Sequence, residues 1–281
     1  MRVVVGAFSL VYLARRRQML AQGAAQHPWL YRPVGAAHLA RRPLPEPAAR
    51  ALTDATLATG VAFTAGAAHR VTGPAYAGLL LWTLSYRNSW SMVFHTDNQM
   101  VLHATVLGLS RSADAWSIDA ALRPSRNGRG GTAWHYGWPL RLMRTVTACA
   151  YLVAGVAKVK GPMGWRWATG ESLRRQVAAD GLRKEVLGTP AAPATYALYD
   201  KVALFRVLAV GSLAVELLAP AALVSSRLSR LWALNAYAMH WGILALMNIR
   251  FRYQLSGAAF APFLDLDRAV DTAARALTRR P

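Results

Sequence analysis

Cysteine is almost missing from this chain: Cys149 is the single one in 281 residues. No internal disulfide can staple it, which excludes the small secreted scaffolds. Acid is scarce as well, 13 Asp and Glu against 33 Lys and Arg, for a net charge of +20. Charged residues make up only 16% of the chain, against roughly 25% in an ordinary soluble domain. Lysine is rare within the basic set (Lys158, Lys160, Lys184, Lys201), and the arginines are scattered between apolar runs. They form no single stripe interleaved with aromatics, so nucleic acid is not an expected partner despite a pI of about 11.3. Also absent are His-x-x-x-His, Cys-x-x-Cys and Glu-x-x-His spacings, a Walker loop, Gly-x-Ser-x-Gly and an Asp-rich pair for Mg²⁺. No metal site is therefore expected. Internal repeats, heptads and low-complexity tails are missing too, as is a signal-peptide pattern.

What is present is apolar. Hydrophobic residues reach 54%, with ten Trp, which excludes a disordered basic chain. The surplus falls in runs at residues 75–94, 98–110, 140–159, 202–224 and 231–249, with a shorter one at 251–266. A spanning helix needs about 20 residues. The run at 3–13 is short by almost half, either a half-buried anchor or the remainder of a longer one. Residues 51–69 read as a helix of Ala, Thr and Gly that neighbours can approach closely, opened by Asp54. Gly73-Pro74 marks a turn. Basic segments at 14–50 and 160–200 flank these runs and are expected at the cytoplasmic face or interface, with Trp29 and Tyr31 at headgroup level. A Gly-rich loop at 127–131 and a basic tail at 267–281 complete the chain. The expectation is an all-α fold: a polytopic helical bundle of the cell membrane, one domain over 1–281, with about five to seven transmembrane helices.

Ionisable groups inside such spans are costly, so they are candidates for function. They are Arg87, His95, Asp97, His103, Arg144, Lys158, Glu216 and His240. Density is greatest in Ser85-Tyr86-Arg87-Asn88-Ser89-Trp90 and Phe94-His95-Thr96-Asp97-Asn98-Gln99. On a helix, positions 95, 99 and 103 drift by about 40° per step and share one stripe. That stripe, with Tyr86, Asn88 and Trp90, reads either as a substrate-binding surface or as an interhelical network that holds the bundle. Lys158 ends an apolar helix. It is either a desolvated amine able to act as a base or a snorkelling side chain whose ammonium reaches the interface.

Phe94-His95-Thr96-Asp97-Asn98, His103 and then Ala113-Asp114-Ala115-Trp116-Ser117-Ile118-Asp119-Ala120 resemble the signature of the horizontally transferred transmembrane (HTTM) family. These are bacterial membrane proteins related to the vitamin K-dependent gamma-carboxylase. Ala154-Gly155-Val156-Ala157-Lys158 with Gly164-Trp165 is similar to the carboxylase's Lys-containing segment and downstream Trp, and Met239-His240 to its Phe-His pair. Ala157 stands where the family has a further Lys.

The resemblance implies that Lys158 is the base that deprotonates a reduced quinone, the one cofactor it suggests. His95 and His240 would lie at the site, and Asp119 and Trp116 in a motif of undefined role. The partners it implies are the bilayer and an isoprenoid lipid or quinone. Only some fifteen residues follow the last apolar run, so protein gamma-glutamyl carboxylation is not expected. Two enzyme versions follow: quinol chemistry at Lys158, or terpene cyclisation started by Asp119 or Asp97, with aromatic faces such as Trp82, Tyr86 and Trp90 steadying the cation. A non-catalytic accessory or assembly protein is the reading from another class, and a transporter the third.

Overall fold

The computed structural model describes residues 1–122 and 133–264; the 127–131 loop and the 267–281 tail lie outside them. The described residues form an all-α fold, with no strand among them, as the apolar periodicity requires. One helix among them, Trp134–Lys160, is by itself long and apolar enough to cross a bilayer. The sequence reads as one domain, whereas contacts divide the chain into two compact units, Met1–Met143 and Arg144 onward. Each is described in turn.

The first unit contains α1 (Arg2–Ala14), α2 (Arg17–Gln22), α3 (Glu46–Ala65), α4 (His69–Asn88), α5 (His95–Gly108), α6 (Ile118–Leu122) and the start of α7 (Ala133–Lys160). Val5, Ser9 and Tyr12 recur at helical spacing and form the buried face of α1. Tyr76 of α4 donates to Ser9 Oγ at 2.6 Å and stacks on Phe63 of α3 at 4.9 Å. Gly60 permits this: a Cβ there would lie 2.8 Å from the Tyr76 ring and 2.9 Å from Leu10. Thr56 and Thr83 hydrogen-bond between α3 and α4 at 2.8 Å.

Two local expectations are corrected. Asp54 does not open a helix: α3 starts at Glu46 with Pro47 in its first turn, and Asp54 sits mid-helix, paired with Arg17 at 2.6 Å. Proline at a first helical position costs nothing, because its missing N–H has no partner there anyway. Nor is Gly73-Pro74 a turn, since both lie inside α4. Gly73 is there for close approach: α4 and α5 touch backbone to backbone, and a Cβ on Gly108 would lie 2.5 Å from the Gly73 carbonyl oxygen. Pro74, the sixth residue of α4, lies inside the helix and leaves the Arg70 carbonyl without its usual backbone N–H.

The α3–α4 corner is tied by two opposite charges. α3 ends on Gly66 (φ 68) and α4 follows Ala68 (φ 46), both left-handed. Arg2, 3% exposed, donates to the Phe63 carbonyl at 3.0 Å, to those of Thr64 and Trp116, and to Ser112 at 3.1 Å. A cation thus meets the free carbonyls at the end of α3. Asp119 does the converse at the start of α4, accepting the Ala68 and His69 N–H groups at 2.7 Å each. Ser117 caps α6 by accepting from Ala120 N at 2.9 Å. The Trp-Ser-Ile-Asp run therefore works through Trp116's carbonyl, Ser117's hydroxyl and Asp119's carboxylate.

The second unit holds the rest of α7, then α8 (Glu171–Val186), α9 (Pro193–Ala197), α10 (Val202–Leu217), α11 (Ser226–Met247) and α12 (Arg252–Leu255). A short 3-10 stretch, Gly164–Thr169, lies between α7 and α8. It ends on Gly170 (φ 81), where a Cβ would lie 2.6 Å from the Phe205 carbonyl oxygen, which pins the stretch onto α10. Ser225 caps α11 by accepting from Leu228 N at 3.3 Å, and left-handed Asn248 ends it. The run at 251–266 does not form a spanning helix. Left-handed Gly257 follows α12, and the chain re-forms only a 3-10 turn at Ala261–Phe263. Residues 160–200, expected as a loop, are largely α8 and α9.

Replacing Asp119 with Ala removes both acceptors from the α4 start and should lower unfolding stability by about 1–2 kcal/mol. Asn, which retains one acceptor oxygen, should lose about half of that. Thermal or denaturant unfolding of the two variants measures the difference.

Candidate functional site

In the second unit α7 presents one face on which Tyr151, Gly155 and Lys158 lie at helical spacing, Tyr151 and Lys158 two turns or about 10 Å apart. Gly155 is what brings α10 in. A Cβ there would lie 2.9 Å from Glu216 Cβ and 3.0 Å from Leu217. Any larger residue would push α10 off this face. The close approach lets Lys158 form an ion pair with Glu216 Oε1. The Glu216 side chain is 8% exposed and that of Lys158 25%, so the acid is enclosed and the ammonium reaches toward the edge. Lys158 Nζ also stands 5.3 Å from the centre of the Trp167 ring, a cation–π contact made by the pinned 3-10 stretch.

The pair leaves capacity unused. Glu216 Oε2 and Trp167 Nε1 are both buried and hydrogen-bond to no group among the described residues. One is an acceptor and the other a donor. Both side chains contact Lys158, Glu216 through its other oxygen and Trp167 through its ring.

Two turns back along α7, the Tyr151 hydroxyl hydrogen-bonds His240 Nε2 of α11 at 2.6 Å; both residues are buried. Aromatic rings surround this bond: Trp232 lies 5.1 Å from Tyr151, Phe251 5.0 Å from His240, and Phe260 within 6.3 Å of both. Trp232 is itself fixed by donating to the Val215 carbonyl at 2.8 Å. Arg144 is committed elsewhere, donating to the Pro262 carbonyl at 2.5 Å.

The first unit holds the remaining candidates. Asp97, 1% exposed, forms an ion pair with Arg87 and accepts the Tyr12 hydroxyl at 2.6 Å. Arg87 also donates to Tyr12 at 3.3 Å and lies 4.2 Å over the Phe94 ring. This is a closed knot of α1, α4 and α5. His103 and Gln99 are buried on α5, whereas His95, its first residue, is exposed. The stripe 95–99–103 is therefore buried over two of its three members. His103 rests against the Met143 backbone.

Tyr86 and Trp90 pack with Tyr31, Ala49, Leu44 and Trp82 into an aromatic cluster. The Tyr86 hydroxyl accepts from Leu44 N at 3.1 Å. Asn88 is buried, and its Oδ1 accepts no hydrogen bond among the described residues. Asp119 caps α4, and the Trp116 ring is 81% exposed.

Sequence reasoning missed Tyr151, Trp167, Tyr12 and Arg2. Two of them carried a signal. Tyr151 stands seven residues before Lys158, hence on its face, and Arg2 is a charge at the edge of an apolar run. Among the described residues no cluster of His, Cys, Asp and Glu could hold a metal ion. Compared with family models, curated proteins and solved structures, the chain matches none.

Removing one partner of the pair should cost more than removing both. Glu216→Leu alone strands the Lys158 ammonium and should destabilise by about 2–3 kcal/mol, less than for a fully enclosed pair because Lys158 is one-quarter exposed. Lys158→Met combined with Glu216→Leu should recover most of that loss. Unfolding of the two single variants and the double variant, read as a cycle, tests the coupling.

Proposed function

We propose that this chain is a multi-pass protein of the cell membrane, akin to the HTTM family, and that it is an enzyme acting on a lipid-soluble isoprenoid substrate by quinol-type chemistry. One observation carries the reading: a Lys158–Glu216 ion pair with an open carboxylate oxygen, in an apolar helical setting, two turns from the Tyr151–His240 bond. The membrane part draws on the outward face of several helices. Val3, Val4 and Val11 of α1, Val207 and Val210 of α10, and Leu231, Leu234 and Trp241 of α11 are exposed, while Ser9, Glu216, Ser229 and His240 of the same helices are buried. A bilayer is the solvent that suits such a surface.

A reduced quinone would supply a weakly acidic hydroxyl on an apolar ring, and the residues fit it. Trp167 Nε1 would orient such a hydroxyl by donating to it. Glu216 Oε2 would be placed to take a proton, directly or through Lys158 after that residue has passed its own proton to Glu216 Oε1. In either order the pair would gain one proton and keep one positive charge, which conserves net charge at the site. His240, with Tyr151 as its hydrogen-bond partner, supplies a second polar anchor further along α7. The aromatic wall of Trp232, Phe251 and Phe260 is suited to an isoprenoid tail.

Acid-initiated cyclisation has less support. Asp119 accepts two backbone N–H groups and Asp97 is paired with Arg87, so neither carboxyl is a ready proton donor.

Lipid extracts from cells expressing wild type, Lys158→Ala and Asp119→Asn, each checked for membrane insertion, should differ at one isoprenoid species. Mass spectrometry is expected to find its product lost in Lys158→Ala and retained in Asp119→Asn. Loss with Asp119→Asn alone would favour cyclisation. Identical profiles from three folded proteins would favour the accessory-protein reading.

A further inference from the structure

Residues 15–50 contain seven arginines (15, 16, 17, 32, 41, 42 and 50) and one acid, Glu46. Arg50 pairs with Glu46 and Arg17 with Asp54. Arg15, Arg32, Arg41 and Arg42 face no acid among the described residues, and all four are exposed. The segment is nonetheless built, not loose. Tyr31 is buried in the aromatic cluster with Tyr86 and Trp90. Its hydroxyl donates to the Ala40 carbonyl at 3.3 Å, tying the 28–32 turn to the 35–40 turn. Arg32 N donates to the Ser89 carbonyl at 2.8 Å, Val34 N to Ser89 Oγ at 3.1 Å, and Leu44 N to Tyr86. The platform is thereby docked on the C-terminal end of α4.

This anchored platform exposes what a soluble surface would hide. Trp29 is 74% exposed and Leu39 85%, with Leu30 and Met19 also outward. Trp29 is not a stray: His27 Nδ1 accepts its backbone N–H at 3.3 Å, and Arg32 donates to its carbonyl at 3.0 Å. Large exposed apolar side chains and unanswered guanidiniums close together in sequence, with Arg32 set over the Trp29 ring, match a bilayer surface, the rings at the acyl boundary and the cations at the headgroups.

We infer that the 15–50 platform is a binding surface for anionic lipid headgroups, with Trp29, Leu30 and Leu39 entering the interface and Arg15, Arg32, Arg41 and Arg42 holding the phosphates. This rests on the membrane reading proposed above and adds a lipid preference to it. The occupant is a lipid leaflet because exposed aliphatic Leu30 and Leu39 call for a hydrocarbon partner, whereas nucleic acid offers stacking surfaces to aromatic rings only.

The test uses the full chain in neutral detergent, offered equimolar phosphatidylglycerol and phosphatidylcholine, with bound lipid read by native mass spectrometry. Wild type is expected to retain phosphatidylglycerol preferentially. A variant with Arg15, Arg32, Arg41 and Arg42 changed to Gln should lose that preference by about tenfold at equal helical content. Raised salt should weaken it in wild type. A Trp29→Ser/Leu39→Ser variant should bind less of both lipids. Equal retention of the two lipids by wild type, an unchanged preference in the Gln variant, or displacement of the lipid by a short RNA would each overturn the inference while leaving the membrane reading intact. Retention of neither lipid, with failure of the chain to float with reconstituted vesicles, would overturn both.

Discussion

An acid buried among helices must be answered by a fixed cation, and in this chain that requirement fixes which helices touch. Asp97, Glu216 and Asp180 are the buried carboxylates among the described residues. Arg87 answers the first from α4, and Lys158 the second from α7. Arg183 and Lys184 answer the third within α8, and Lys184 also donates to the Met247 carbonyl at the end of α11. Removing a charge from water costs several kcal/mol even after relaxation. A helix that slides or turns out of register therefore loses far more than a few packing contacts. The small residues serve the same end, since Gly155 and the Gly73–Gly108 contact bring backbones close enough for short polar side chains to meet.

The pairs differ in what they leave over. Asp97 is closed: one oxygen takes Arg87 and the other the Tyr12 hydroxyl. Asp180 likewise has a cation on each oxygen. Glu216 has its cation on Oε1 and nothing on Oε2 among the described residues. Structure alone needs the closed arrangement, because an unsatisfied buried acceptor is a net cost of about 1–3 kcal/mol. An open oxygen inside an otherwise matched set is where a ligand can repay that cost. That contrast sets Glu216 apart from Asp97 and Asp180 among the buried carboxylates, although Asn88 Oδ1 in the first unit's polar cluster is also buried with no partner among the described residues.

Much of the fold was legible. The runs at 140–159 and 231–249 became α7 and α11, whereas the run at 202–224 gave helix only to Leu217, where α10 stops before Pro220; Ser225 and Asn248 bound α11. Two breakers misled. Gly73-Pro74 reads as a turn by local propensity, yet tertiary contact with Gly108 overrides it. Asp54 reads as a helix opener, yet Pro45 and Pro47 start α3 earlier. Lys158 and Glu216 were each legible as costly charges in apolar helices. Their pairing was not, because partners 58 residues apart meet only through a backbone approach at Gly155 that no local pattern announces. Asp119 shows the opposite failure: its motif was visible, but its work as a cap depends on a corner fifty residues away.

The corner explains why a charged motif need not be chemical. Gly66 and Ala68 both take left-handed geometry, so α3 and α4 meet with their terminal carbonyls and amides turned toward one place. Those groups carry opposite partial charges, and Arg2 and Asp119 meet them in the matching sense. Arg2 enters from the start of α1 and Asp119 from the start of α6, so the ends of four helices close on one another. An apolar pair at these positions would leave backbone groups of both helices unanswered. The same physical need that makes a buried charge a candidate for catalysis thus also makes it a brace. The two roles are told apart by counting which of its atoms remain uncommitted.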